Sequence, residues 1–164
     1  MHELAVRLGQ RLKAADALLV TAESCTGGWV AQVVTSVSGA SAWFERGFVT
    51  YSNAAKEELL GVPSATLERH GAVSEETARE MALGALRCSR GHVAVAVTGV
   101  AGPTGGTEAK PVGLVCFAWA RRGETRSESR HFAGNRESIR RQSVERALQG
   151  VLDLLASNSG TESR

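Results

Sequence analysis

The 164-residue sequence lacks the cysteine and histidine patterns of a disulfide-stabilised or metal-binding protein. Its three cysteines, Cys25, Cys88 and Cys116, are an odd number and show no CxxC spacing. This usage is typical of reduced thiols, so we expect a cytoplasmic protein. The four histidines stand apart and no HExxH pattern occurs, so we expect no metal site.

Long apolar runs and a secretory leader are also missing. No apolar run approaches the roughly 18 residues that span a bilayer, and the first residues lack a basic segment followed by an apolar one. The formal net charge of +2 is too small to indicate nucleic acid or an anionic membrane as a partner. With 43% hydrophobic and 22% charged residues, the composition is that of an ordinary globular protein.

Lysine and tyrosine are scarce. The chain has 16 arginines but only three lysines, Lys13, Lys56 and Lys110, and its one tyrosine is Tyr51. Arginine serves as a surface cation and stays protonated, whereas lysine can lose its proton. One interpretation is that such a sequence retains lysine where an amine has a chemical task. The alternative is that the scarcity of lysine reflects codon bias and chance.

Hydrophobic spacing predicts alternating helices and strands, and hence a three-layer α/β/α domain around a mixed, mostly parallel sheet. We expect one domain over residues 1–164, ordered over about 3–156, with a flexible tail at 157–164. A turn at Arg122 and Gly123 predicts that the last two strands form an antiparallel pair. Helices are predicted over 2–15 and 26–37, after caps at Asn53, Ser74 and Asn135, and as a short turn at 64–69. Strands are predicted at 17–22, 45–51, 92–97, 112–120 and 126–132.

Three polar stretches follow predicted strands, at residues 21–28, 51–56 and 98–113. Ligands of open α/β sheets bind beyond the carboxyl ends of the strands, where such stretches meet. We therefore expect the three stretches to form one site.

In the first stretch, Ser24 lies where an apolar strand turns into a helix. Backbone N–H groups at a helix start can stabilise an oxyanion, so Ser24 is a candidate nucleophile. The neighbouring Cys25 is a rival, because a thiol ionises more readily than a hydroxyl. An alternative is that Ser24 caps the helix and that Gly27 and Gly28 permit a close helix–strand contact. Glu23 can orient a partner or act as a cap.

In the second stretch, Lys56 is expected in the first turn of a helix, where a cation is disfavoured by roughly 0.3–1 kcal/mol. If the amine is also desolvated, its neutral form is favoured and can take the proton of a serine hydroxyl. Tyr51 would relay that proton or bind the leaving group. Alternatively, the amine reaches water and Tyr51 is an ordinary strand aromatic. Ser52, four residues before Lys56, is a weaker candidate nucleophile.

The third stretch is rich in glycine but matches neither GxxxxGK[ST] nor GxGxxG, and the chain has no GxSxG elbow. Successive N–H groups of a glycine-rich turn can still bind an anion such as phosphate, although a plain flexible loop has the same composition. The cations that can meet a phosphate, if they are not solvated surface, are Lys110, Arg136, Arg140 and Arg141.

These residues resemble the CinA C-terminal domain family over about residues 3–155. The matching segments are TAESCTGG, SxWFERGFVTYSNxAK, HGAVSEE, TGVAGPTGGTEAKPVG and a last helix with RxxxRR. The likeness is greatest to the stand-alone members, the nicotinamide-nucleotide amidases. It implies an α/β/α domain that hydrolyses nicotinamide mononucleotide to nicotinate mononucleotide and ammonia in pyridine-nucleotide recycling. It implies a small-molecule nucleotide as the partner and no cofactor.

The resemblance also implies site residues. The family's serine, tyrosine and lysine fall on Ser24, Tyr51 and Lys56. Two alternatives stay open, a nucleotide-binding module without chemistry and a Cys25-dependent hydrolase, as does the oligomeric state, a homo-oligomer included. The residues expected to contact substrate are Thr26, Gly27, Gly28, Thr98, Gly99, Gly102, Gly105, Gly106 and Arg140.

Overall fold

The structure is a computed structural model that describes residues 1–157, so the predicted flexible tail lies, from residue 158 on, outside the described residues. Five strands form one sheet: β1 (Leu19–Glu23), β2 (Phe44–Val49), β3 (Val93–Gly99), β4 (Leu114–Arg121) and β5 (Glu124–His131). The α-helices of this region are α1 (His2–Ala14), α2 (Trp29–Thr35), α3 (Asn53–Leu60), α4 (Ser64–His70), α5 (Glu75–Arg87) and α6 (Arg136–Ala156).

The sheet is mixed, with the strand order β2-β1-β3-β4-β5. β1 pairs in parallel with both β2 and β3, while β4 is antiparallel to β3 and to β5. Four of the five strands therefore run in the same direction. The predicted mixed, mostly parallel sheet and its late antiparallel pair are confirmed, and each strand end lies within one or two residues of its predicted position.

Helices cover both faces of the sheet and create two hydrophobic cores. Along β3, Val93, Val95 and Val97 point into the core beneath α1, α2 and α6, whereas Ala94 and Ala96 point into the core beneath α3, α4 and α5. Alternate residues of a strand face opposite sides of a sheet, so one apolar strand supplies both cores. The predicted three-layer α/β/α arrangement is confirmed. None of the helices in residues 1–157 is long and apolar enough to span a membrane.

Helix caps follow the predicted chemistry with one correction. The N-cap of α3 is Ser52 and not Asn53, because the Ser52 hydroxyl accepts the N–H of Ala55 at 3.0 Å. The caps predicted at Ser74 and Asn135 are confirmed, since each side chain accepts the backbone N–H three residues further on.

The parallel strands bring the first two polar stretches beside the third. Glu23, the last residue of β1, is paired with Val49 at the end of β2 and with Val97 near the end of β3. The chain leaves all three strands at the same edge of the sheet. The predicted convergence of the three stretches therefore follows from the sheet order.

Candidate active site

A cleft of about 340 Å³ opens at this edge of the sheet. Its walls come from the β1–α2 turn, the segment after β2, the α4–α5 connection, the loop after β3 and the start of α6. Ser24, Tyr51 and Lys56, the three residues predicted to be catalytic, all line it.

Ser24 is the first residue after β1, and its N–H donates to the carbonyl oxygen of Val97 at 2.9 Å. The following helix begins at Trp29 and not at residue 26, because Gly27 and Gly28 have left-handed φ values of 60° and 100°. Gly28 occupies the N-cap position, so Ser24 is not a cap of α2. Its side chain is left to face the cleft.

Lys56 reaches Ser24 from α3. Its Nζ lies 3.0 Å from the Ser24 Oγ, 2.8 Å from the Thr50 carbonyl oxygen and 3.2 Å from the Tyr51 carbonyl oxygen. The two carbonyl oxygens can only accept, so each takes an N–H. A neutral amine has two N–H groups and one lone pair, and its lone pair is then left for the hydroxyl proton of Ser24.

Burial favours this neutral amine. Lys56 is 1% exposed, and its desolvation lowers the pKa of the amine below the ordinary 10.5, against a smaller opposing effect of Cys25. Within residues 1–157 Lys56 forms no ion pair that would hold its proton. The pair therefore has the geometry and electrostatics of a nucleophile with its general base.

The position of α3 depends on a close contact with α5. A Cβ at Gly84 of α5 would lie 2.0 Å from the carbonyl oxygen of Leu60, the last residue of α3. Glycine alone allows the two backbones to approach this closely. Gly84 therefore helps to hold α3, and with it Lys56, beside the cleft.

Cys25 also lines the cleft, but its side chain is less prepared than that of Ser24 to act as a nucleophile. Burial, reinforced by the charge of Glu23, raises the pKa of the Cys25 thiol to about 12. A thiol is a good nucleophile only as thiolate, so it is a poor nucleophile at neutral pH. The Cys25 N–H has no main-chain acceptor within residues 1–157, which makes it a candidate donor to a developing oxyanion.

Tyr51 meets the site in a different way from the prediction. Its side chain is 63% exposed, and its hydroxyl accepts from Nη2 of Arg136 at 3.3 Å. Its carbonyl oxygen is the acceptor of its hydrogen bond with Lys56. Within residues 1–157 the phenol forms no hydrogen bond with Ser24 or Lys56, and its role in proton transfer stays a prediction.

The residues predicted to contact substrate divide into two groups. Those that line the cleft are Thr98, Gly99, Gly102 and Gly105, whereas Thr26, Gly27, Gly28, Gly106 and Arg140 are not among the lining residues. The Thr98 hydroxyl donates to the Ala72 carbonyl at 2.8 Å, and the Thr26 hydroxyl donates to Glu23 at 2.6 Å. Their part in substrate binding stays a prediction.

Two arginines one helical turn apart on α6 have different partners. Arg140 donates to the carbonyl oxygens of Cys25 and Thr26, each at 3.1 Å, and lies over the ring of Trp29. Arg136 lines the cleft and donates to the Gly102 carbonyl at 2.7 Å. Lys110 donates to the carbonyl of His70 and lies outside the lining.

The comparisons with known proteins agree with this architecture. The family model of the CinA C-terminal domain matches residues 1–155. The chain belongs to the CinA C-terminal domain family. This confirms the membership that the sequence motifs predicted.

Similar proteins from this family extend over nearly the whole chain. Nicotinamide-nucleotide amidohydrolase PncC of Escherichia coli (strain K12) is 52% identical over 160 residues, 97% of each chain. A protein of the same name from Pseudomonas putida is 53% identical over 151 residues, 92% of this chain and 94% of that one. The crystal structure of a competence-damaged protein (CinA) superfamily protein from Klebsiella pneumoniae has a TM-score of 0.92 at 38% identity. It covers 95% of this chain and 98% of its own.

Sequence reasoning missed one wall of the cleft and did not show which arginine of α6 lines it. Ala72 and Val73, in the α4–α5 connection, form one wall but have no polar side chain that would signal a site. Arg136 and Arg140 were both recognised as candidates, but a spacing of four residues does not tell which one lines the cleft. Only the contacts of each guanidinium do so.

Proposed function

We propose that this protein is a nicotinamide-nucleotide amidase that converts nicotinamide mononucleotide and water to nicotinate mononucleotide and ammonia, in pyridine-nucleotide recycling. The observation that carries the proposal is the buried Lys56 amine, 3.0 Å from the Ser24 hydroxyl. The substrate class is supported by the names of relatives that match the chain over nearly its full length.

The first half-reaction forms an acyl-enzyme. Ser24 Oγ attacks the carboxamide carbon while the neutral Lys56 amine accepts the hydroxyl proton. The negative charge that develops on the carbonyl oxygen is stabilised by backbone N–H groups such as that of Cys25. When the C–N bond breaks, the nitrogen takes the proton held by Lys56 and leaves as ammonia.

The second half-reaction hydrolyses the ester on Ser24. A water molecule gives one proton to Lys56, and its oxygen bonds to the acyl carbon. The C–O bond to Ser24 then breaks, and the serine oxygen recovers its proton from Lys56. Nicotinate mononucleotide leaves, and both side chains return to their starting states.

The phosphate of the substrate would lie on the other side of the cleft. Gly99, Gly102 and Gly105 line that side, where backbone N–H groups can approach an anion closely. Arg136, the first residue of α6, adds a cation and the start of a helix. Binding of the remote phosphate would orient the carboxamide towards Ser24.

The test is ammonia release from nicotinamide mononucleotide by purified protein. Wild-type protein is expected to turn over, and Ser24→Ala to lose activity by about 10³-fold or more without a change in circular dichroism. Ser36→Ala, at the other end of α2, is the matched control. Full activity in Ser24→Ala would contradict the role of Ser24 as the nucleophile. If that remaining activity is abolished by thiol alkylation, Cys25 is favoured as the nucleophile. Nucleotide binding by calorimetry without any turnover favours a binding module.

A further inference from the structure

Glu23 is a buried carboxylate beside the nucleophile that the reaction steps above do not use. It is the last residue of β1 and is 1% exposed. Its Oε1 accepts from the Thr26 hydroxyl at 2.6 Å and from the N–H of Val30 at 2.8 Å, and its Oε2 accepts from the N–H of Ala31 at 3.1 Å. All three donors follow Ser24 along the chain.

These bonds join Glu23 to the start of α2 and so close the chain segment that contains Ser24 into a loop. The first N–H groups of a helix have no partner within the helix, and the N-cap of α2, Gly28, has no side chain to offer one. Glu23 supplies the acceptor from outside the helix. Its own carbonyl oxygen accepts the N–H of Thr50 at 2.8 Å, and the Thr50 carbonyl in turn holds Lys56. Glu23 thus precedes Ser24 in the chain and is connected to Lys56 through the main chain of Thr50.

A positively charged side chain of α6 also stabilises this turn. The Arg140 guanidinium donates to the carbonyl oxygens of Cys25 and Thr26. The Glu23 carboxylate therefore accepts hydrogen bonds from this turn, and the guanidinium donates hydrogen bonds to it. Since both groups are engaged with the protein, they fix the backbone that carries Ser24.

The carboxylate also affects which of two adjacent nucleophiles is ready to react. Unpartnered N–H groups at a helix start favour the thiolate of a nearby cysteine. Here the N–H groups of Val30 and Ala31 already bond to Glu23 and offer no such stabilisation. Burial is the largest cause that raises the pKa of Cys25 to about 12, and the charge of Glu23 adds to it. The backbone hydrogen bond at Cys25 and the charges of Arg140 and Lys56 oppose this rise.

We propose that Glu23 is a positioning residue of the site: its carboxylate fixes the β1–α2 turn and keeps Cys25 unreactive, so that the Ser24 oxygen attacks instead of the sulfur. The inference rests on the proposed amidase function for its kinetic part. The reactivity of Cys25 can be measured whether or not the protein turns over a nucleotide.

Two substitutions separate the charge of this side chain from its reach. Glu23→Gln keeps the length and one oxygen acceptor but removes the charge, whereas Glu23→Asp keeps the charge and shortens the side chain. The matched control is Ser74→Ala, which removes the cap of α5 without touching the nucleophile or its base. All proteins carry Cys88→Ser, because Cys88 is exposed and would react first.

Each variant is assayed for ammonia release, for melting temperature and for alkylation of Cys25 by iodoacetamide, located by peptide mapping. Both Glu23 variants are expected to lower kcat at least about tenfold with little change in KM, because the nucleophile is misplaced. Glu23→Gln should also alkylate Cys25 at least about tenfold faster than the parent, and Glu23→Asp should not. Ser74→Ala should lower only the melting temperature.

Parental kcat in Glu23→Gln, with Cys25 labelled as slowly as in the parent, overturns the proposal. Equal kcat losses in Glu23→Asp and Ser74→Ala overturn it too, because the loss of any helix cap would then explain them. If Glu23→Gln does not fold, the kcat of Glu23→Asp decides. If the parent releases no ammonia, the amidase assignment fails, and the labelling comparison still tests what Glu23 does to Cys25.

Discussion

The two sides of the cleft are built in different ways. On one side Ser24 and Lys56 are buried, and the Ser24 Oγ and the Lys56 Nζ have protein partners at hydrogen-bond distance. On the other side the glycine-rich loop is exposed over residues 103–109, and Arg136 ties it down at Gly102. The buried side is organised before substrate arrives, whereas the open side offers main-chain groups to a ligand. Changes on the buried side should therefore alter kcat, and changes on the open side should alter KM.

The largest effect is expected for the base. Lys56→Met should lower kcat for ammonia release by roughly 10²–10⁴-fold, because within residues 1–157 Ser24 Oγ has no other side-chain partner that could take its proton. Lys56→Arg should not restore activity, since a guanidinium keeps its proton. Lys13→Met, an exposed position on α1, is the matched control. Parental kcat in Lys56→Met would remove the general base from the account.

The pH dependence sharpens the same contrast. In the proposed mechanism only the neutral amine of Lys56 accepts the Ser24 proton. The value of kcat/KM should therefore rise with pH and level off below 10.5, because burial lowers the pKa of this amine. At a pH between the lowered pKa of Lys56 in the folded protein and its ordinary value of 10.5 in the unfolded chain, the unfolded chain holds a proton that the folded chain has lost. The free energy of unfolding should therefore increase with pH across that window. A pH–rate profile measures the rise in kcat/KM, and denaturant titrations at several pH values measure the rise in the free energy of unfolding. Lys56→Met should lack this rise in the free energy of unfolding.

A smaller effect, confined to binding, is expected on the open side. Arg136→Ala should raise KM for nicotinamide mononucleotide about tenfold or more with little change in kcat, as for the loss of a charged hydrogen bond. KM for nicotinamide riboside, which lacks the phosphate, should not change. Arg141→Ala, on the exposed face of α6, is the control. An equal rise in KM for both substrates would contradict binding of the phosphate by Arg136.

The smallest effect is expected for Tyr51→Phe, because the lost hydroxyl contacts only Arg136 within the described residues. Steady-state kinetics should show a change of less than about tenfold. A loss as large as that of Lys56→Met would instead support the proton relay that the sequence suggested.

Much of the fold could be predicted because it depends on local patterns. The apolar run of β3 and the caps at Ser74 and Asn135 are visible in the sequence as composition and spacing. The late start of α2 was missed, because two glycines in a row permit a turn without revealing where it ends. The antiparallel pairing of β3 with β4 was not foreseen either, since a glycine-rich loop does not define its own direction.

For the site, the sequence indicated the side chains but not their partners. Ser24 and Lys56 were recognised from residue type and position, and the structure brings them together. The carbonyl oxygens of Thr50 and Tyr51 that leave the Lys56 lone pair to Ser24 belong to the main chain, so no residue type marks them. The Glu23 carboxylate was visible, but its three donors depend on how the turn folds.

The most direct measurement of the central claim is the titration of Lys56 itself. Only Lys13, Lys56 and Lys110 carry an ε-amine, so the protein labelled with ¹³C at lysine Cε should give three side-chain signals in an NMR pH titration. The account predicts that one signal titrates below the ordinary 10.5 and is missing in Lys56→Met. A Lys56 signal that titrates at or above the ordinary 10.5 would contradict a neutral base beside Ser24.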